Sequence, residues 1–171
     1  VGSEMCIRDR VRLGSDGEEI NIELPRLDID KANIELDGRL DESIWASIPG
    51  YDNMLVMDPD TLEKTRFKTD ARMFYTEEGL YVGVFMEQPS ETLIARLSSR
   101  DEFINRDSIG ITIDTSGEGL YGYWFTLNLG GSVMDGKVAP ERQFSREWDG
   151  PWESGTAVLD GGWSAEMFLP W

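Results

Sequence analysis

Arg106-Asp-Ser-Ile-Gly-Ile-Thr-Ile-Asp114, a turn-rich Thr115-Ser-Gly-Glu-Gly119, then Leu120-Tyr-Gly-Tyr-Trp-Phe-Thr-Leu-Asn-Leu-Gly-Gly131 is the stretch that decides the fold. Both arms alternate with the period of two that a strand imposes. The pattern predicts an antiparallel hairpin around Gly117, with Ile113 opposite Tyr121, Ile111 opposite Tyr123 and Ile109 opposite Phe125. That register places the large apolar residues on one side. The other side carries Ser108, Gly110 and Thr112 against Gly122, Trp124, Thr126 and Asn128, a polar face with one exposed indole over a glycine. Such a face suits a polar ligand that has a flat apolar side.

The chain has 171 residues, enough to bury a full core in one domain. Its 16 Lys and Arg against 33 Asp and Glu give a formal charge of −17, which repels nucleic acid and anionic membranes at long range and suits a neutral or cationic ligand. Histidine is absent, which removes Ser-His-Asp and zinc-hydrolase readings, and the lone Cys6 has no internal disulfide partner. No run approaches the roughly 20 apolar residues of a membrane-spanning helix. Residues 1–10 resemble the translated read-through of a sequencing adapter and are set aside as non-native. Residues 11–171 are read as a single domain cut short at its C-terminus.

Outward from the hairpin, Ile20, Ile22 and Leu24 before Pro25 predict a leading edge strand. A second strand is expected from Ala32 to an Asp37-Gly38 turn, followed by a short helix capped by Asp41, with Ile44, Trp45 and Ile48 on one side. Trp45 reads as a plug over one end of the core. Residues 66–88 predict another hairpin, pairing Tyr75 with Leu80, Met73 with Val82, Ala71 with Val84 and Phe74 with Tyr81, buried on both faces. Pro89–Ile104 is a longer helix or an irregular crossover. After Lys137 the composition is that of a loop rich in aromatics, and Thr156–Leu159 and Gly162–Leu169 form a last hairpin with Trp163 in the core. Many short strands with little helix point to an all-β fold, an antiparallel, jelly-roll-like β-sandwich with one or two short helices.

The order of motifs is familiar: Asp37-Gly-Arg-Leu-Asp-Glu-Ser-Ile-Trp45, Ala71-Arg-Met-Phe-Tyr75 with Gly79-Leu-Tyr-Val-Gly-Val84, Arg106 to Asp114, Tyr123 to Gly131, and Gly162-Trp-Ser-Ala-Glu-Met-Phe-Leu-Pro170. Together, over roughly residues 30–171, they resemble the family 9 carbohydrate-binding module. The version they resemble more closely stands at the N-terminus of large bacterial outer-membrane-barrel-like proteins. The resemblance implies a sandwich of the DOMON-like superfamily, structural calcium without a required cofactor, and a sugar held between aromatic rings. It further implies a bacterial protein that is extracellular, periplasmic or outer-membrane-associated, with carbohydrate and the C-terminal remainder of the parent as partners. No direct membrane insertion by this segment and no nucleic acid are implied.

An indole covers the C–H face of a pyranose, while Asp, Asn, Arg or Glu bind its hydroxyl rim. The candidate residues are Trp124, Trp148 and Trp152, with Arg100, Arg106, Asp107, Asn128 and Glu153 as polar partners. Trp124 can instead shield Gly110, Trp152 can pack before the last hairpin, and Asp107 can cap a turn. Asp114 with Glu118, or Asp37 with Asp41, offers two carboxylates each to calcium. No carboxylate pair stands on a glycosidase motif, and haem lacks a histidine ligand, so no catalytic residue is assigned. The expected function is non-catalytic sugar binding that supports polysaccharide breakdown by a larger parent. The alternative is a structural or docking domain that has lost the sugar clamp. An exposed tryptophan pair favours the first, and burial of the three tryptophans favours the second.

Overall fold

In the computed structural model, which describes residues 8–12, 19–28, 30, 34–57 and 59–171, the core strands form two antiparallel four-stranded sheets. The first has the order β11 (Glu153–Leu159), β12 (Gly162–Pro170), β6 (Gly79–Glu87), β5 (Thr69–Tyr75). The second has the order β10 (Gln143–Ser145), β9 (Val133–Ala139), β8 (Gly122–Asn128), β7 (Ser108–Ile113). Two small hairpins accompany them, β1 (Arg8–Arg12) with β2 (Glu19–Glu23) and β3 (Leu55–Met57) with β4 (Asp60–Lys64). The fold is the expected all-β sandwich, with a single short α-helix among the described residues. Among the described residues no helix is long and apolar enough to cross a membrane.

Alternation builds the interior. Ala71, Val82, Val84, Ala165 and Met167 of the first sheet meet Phe125 and Leu127 of the second and Leu129 just beyond β8, and Ile109, Ile111 and Ile113 complete the layer. Trp163, 2% exposed, lies in this core as expected. The outer face of the first sheet is buried too. There Phe74, Tyr81 and Phe168 pack beneath Trp45 and Ile48, delivered by the helix α1 (Ser43–Ser47). Trp45 is buried as its sequence suggested, but it covers the outer face of the first sheet rather than one end of the core.

The β5–β6 register agrees with the sequence at all four expected pairs. The β7–β8 register does not: Ile113 pairs with Tyr123, Ile111 with Phe125 and Ile109 with Leu127. The cause is Asp114, whose carboxylate accepts the Ser116, Gly117 and Gly119 N–H groups and the Ser116 hydroxyl, stabilising a longer loop. A slip of two residues keeps every side chain on its expected face. Other expectations shift more. Residues 34–36 form no strand, and Ala32 and Asn33 at its expected head, like residues 1–7, lie outside the described residues. Glu42, not Asp41, stands at the N-cap of α1, and its carboxylate accepts the Glu35 N–H. Between Pro89 and Ile104 the chain is an irregular crossover with one 3-10 turn at Ser90–Thr92. The segment after Lys137 is not all loop, since β9 and β10 pair there.

One buried group ties the helix layer to the sheet. Glu166 on β12 is fully buried, and its carboxylate accepts the Gly38 N–H at 2.8 Å and the Trp45 indole N–H at 2.9 Å. Burial pushes its pKa from 4.5 up to about 7; those two hydrogen bonds oppose the shift, while Glu42 and Asp37 add to it. A carboxyl with a raised folded pKa holds its proton more tightly folded than unfolded. Its stabilisation is thus complete below pH 4.5 and lost as pH rises toward 7. The expected loss is about 3 kcal/mol over that window. Urea unfolding from pH 4.5 to 8 should show this slope in the wild type and a flatter one in Glu166→Gln; equal slopes would remove Glu166 as its source.

Candidate functional site

The expected polar face of the β7–β8 hairpin exists, but Trp124 does not present its ring on it. Trp124 is 9% exposed and sits beside Gly136 of β9, with its indole N–H donating to the Ser145 carbonyl and its ring edge-on to Phe144 of β10. A Cβ at Gly136 would fall 2.8 Å from the indole nitrogen and 1.8 Å from the Ser145 oxygen, so only glycine lets β10 and the indole close over this position. The indole shields Gly136, not Gly110. Asn128 is also withdrawn, at 1% exposure. Its amide bonds the Ser132 carbonyl and its carbonyl accepts the Gly130 N–H, fixing the β8–β9 turn.

Trp148 and Trp152 are half-buried and belong to the packing. Trp148 lies 4.6 Å from the Tyr123 ring and 5.9 Å from Phe125, while Trp152 meets Phe125 edge-on at 5.5 Å. Asp107 holds the crossover by accepting the Ile94 N–H at 2.7 Å and the Gln88 amide at 3.1 Å, the capping role. Glu153 is exposed at the head of β11, opposite Phe168. The structure thus distributes the tryptophans and their polar partners over several places.

Two of those partners lie on one strap, residues 96–106, which crosses the end of the second sheet. Ser98 exchanges hydrogen bonds with Ser132; the Asp101 N–H reaches the Val133 carbonyl, and the Asp101 carboxylate accepts the Asp135 N–H. Asp101 has φ 61°, a left-handed residue that these contacts hold in place. Arg100 anchors the strap. Its guanidinium bonds Asp135 at 2.6 Å and Asp149 at 3.1 Å, and the other Asp135 oxygen accepts the Gly150 N–H at 2.5 Å. Burial acts to lower the Arg100 pKa, and the charges and hydrogen bonds of Asp135 and Asp149 more than reverse it. Sequence reading missed Asp135 because β9 was unrecognised; an acid alternating inward after Val133 is the signal it would have given.

Carboxylate oxygens of Asp101, Asp135 and Asp149 lie within 4.8 Å of one another, the one such acidic trio among the described residues. The guanidinium of Arg100 already supplies positive charge to it. The pairs proposed for calcium, Asp114 with Glu118 and Asp37 with Asp41, gather no third acidic ligand among the described residues. Asp114 spends its oxygens on the loop; the Ser116 hydroxyl, followed by backbone N–H groups, holds its pKa below the usual value.

Between the strap and the outer face of the second sheet runs a groove of about 370 Å³, lined by Phe103, Ile104, Asn105, Arg106, Ser108, Thr126 and Met134. That volume falls in the range of small-ligand sites, roughly 300–1,000 Å³. Ser108 and Thr126 belong to the expected polar face. The aromatic ring comes from outside the hairpin: Phe103 is 79% exposed. Its sequence signal was an apolar Phe103-Ile104 pair inside a charged loop, with no strand periodicity to bury it.

No protein-family model matches the sequence, and no curated protein matches it. Solved structures do share the fold. A family 9 carbohydrate-binding module from Caldicellulosiruptor kristjanssonii in complex with cellotriose superposes with a TM-score of 0.60 at 13% identity, over 86% of this chain and 67% of that one. A family 9 module from the same organism in complex with glucose gives 0.56 at 14% identity, over 85% and 69%. A Bacteroides uniformis protein proposed to bind carbohydrate gives 0.63 at 13% identity, over 86% and 71%. At such identities the likeness is one of fold.

Proposed function

We propose that this domain binds carbohydrate without making or breaking bonds, and that the strap-and-sheet groove is its site. The groove carries the reading: an exposed Phe103 ring stands beside Asn105, Arg106, Ser108 and Thr126, an apolar plate next to hydrogen-bonding groups. A pyranose needs both, a surface for its C–H face and partners for its hydroxyls. Support comes also from the shared fold, since two of the similar structures hold cellotriose or glucose. In this reading the domain holds a larger parent protein on a polysaccharide outside the cytoplasm, so that a neighbouring domain acts on it.

The test is isothermal titration of the 171-residue chain with cellotriose and a panel of neutral oligosaccharides, with and without calcium. Phe103→Ala should weaken binding about tenfold, the loss of one stacking contact. Phe144→Ala, also exposed but outside the groove, should leave it unchanged. No heat from any sugar with a folded protein would reject the proposal. A docking role for the parent protein is the second reading, favoured by the packing of Trp124, Trp148 and Trp152 into the fold.

A further inference from the structure

Resting on the carbohydrate reading, we infer that the groove selects a carboxylate-bearing saccharide, a uronate, over its neutral counterpart, with Arg106 as the residue that reads the carboxylate. Arg106 is the one charged side chain among those lining the groove. Its guanidinium donates to the Ser98 hydroxyl and, at 2.9 Å, to the Glu102 carbonyl, both neutral acceptors. Arg39, Arg72 and Arg100 are each paired with Asp, whereas Arg106 enters no ion pair among the described residues. The acids nearest in sequence are committed elsewhere: Glu102 accepts the Ser99 N–H, and Asp107 accepts the Ile94 N–H and the Gln88 amide. The side chain is therefore fixed by two hydrogen bonds, uncompensated in charge, and left with further N–H donors in a planar fork that matches a carboxylate.

The overall charge of −17 opposes an anion at long range. At physiological ionic strength that field is screened over about 8 Å, so an anion seated in the groove answers to its contacts rather than to the distant surface. A second groove, lined by Arg26, Leu27, Asp28, Asp30 and Glu77, holds three acids beside its arginine, and the same reasoning gives it no anion preference.

The matched probes are cellotriose and its C6-oxidised tri-uronate, titrated into the full chain. The uronate should bind at least about tenfold more tightly at neutral pH, the worth of one charge-assisted pair. Arg106→Gln should make the two affinities equal, and Arg106→Lys should keep part of the difference. Should Arg106→Gln fail to fold, the wild-type comparison still decides, repeated at a pH low enough to protonate the uronate, where the preference should vanish. Equal affinities in the wild type would overturn the inference while leaving the carbohydrate reading intact. Binding of neither trisaccharide would overturn the inference, and the carbohydrate reading would fall with it only if the neutral panel were silent too.

Discussion

Arg100→Ala should lower the unfolding free energy by about 3–5 kcal/mol, several times the ~0–1 kcal/mol typical of a surface ion pair. The side chain is 39% exposed, so little of this is lost apolar burial. The cost arises at its partner. Asp135 is fully buried on the inner side of β9 and has two donors, Arg100 at 2.6 Å and the Gly150 N–H at 2.5 Å. Removing the guanidinium leaves a buried carboxylate with one neutral donor, and charge in that setting is what makes breaking a buried pair expensive. Two controls separate this from a general effect of the strap. Asp149→Ala removes the partner that is 69% exposed and should cost no more than about 1 kcal/mol. Asp135→Asn placed on Arg100→Ala should recover part of the loss, because an amide needs no counter-charge. If equilibrium urea unfolding gave Arg100→Ala and Asp149→Ala the same small cost, the buried-charge account would fail.

How much of this was legible in the sequence follows from where each element's decisive contact lies. The β5–β6 hairpin was readable residue by residue because its turn is short, and apolar residues on both faces fix the pairing. Its neighbour β7–β8 was readable by face but not by register, since the Asp114 carboxylate gathers N–H groups as distant as Gly119 into one loop. Trp124 misled for a tertiary reason. Its cover, Gly136 and Ser145, belongs to β9 and β10, whose polar and glycine-containing sequences carry little strand signal. The groove was half legible: Ser108 and Thr126 followed from alternation, whereas Phe103 reaches them only because the strap is tied down by contacts with residues 132–150. A pattern local to the hairpin could place a polar face but not the ring beside it.

The largest stability effect should come from Trp45. At 1% exposure, with its ring 5.2 Å from that of Phe74 and against the bare backbone of Gly83, it fills the space above the first sheet. Trp45→Ala should cost about 4–5 kcal/mol, combining lost burial with an unfilled cavity. Trp45→Phe is more informative. Phenylalanine keeps most of the apolar contact but has no N–H for Glu166, leaving that carboxyl with the Gly38 N–H among its two present donors. The hydrogen bond favours the ionised form, so its removal should push the Glu166 pKa above its present value of about 7. The penalty of Trp45→Phe therefore depends on pH. Near pH 5, where Glu166 is protonated in the folded state, the substitution should cost chiefly its packing difference. Near pH 8 a further 1–2 kcal/mol, roughly, should appear, because the ionised group has lost a donor it needs. Unfolding of Trp45→Phe and wild type at the two pH values gives this difference directly, and a penalty that does not change with pH would mean the indole N–H and the Glu166 charge are not coupled.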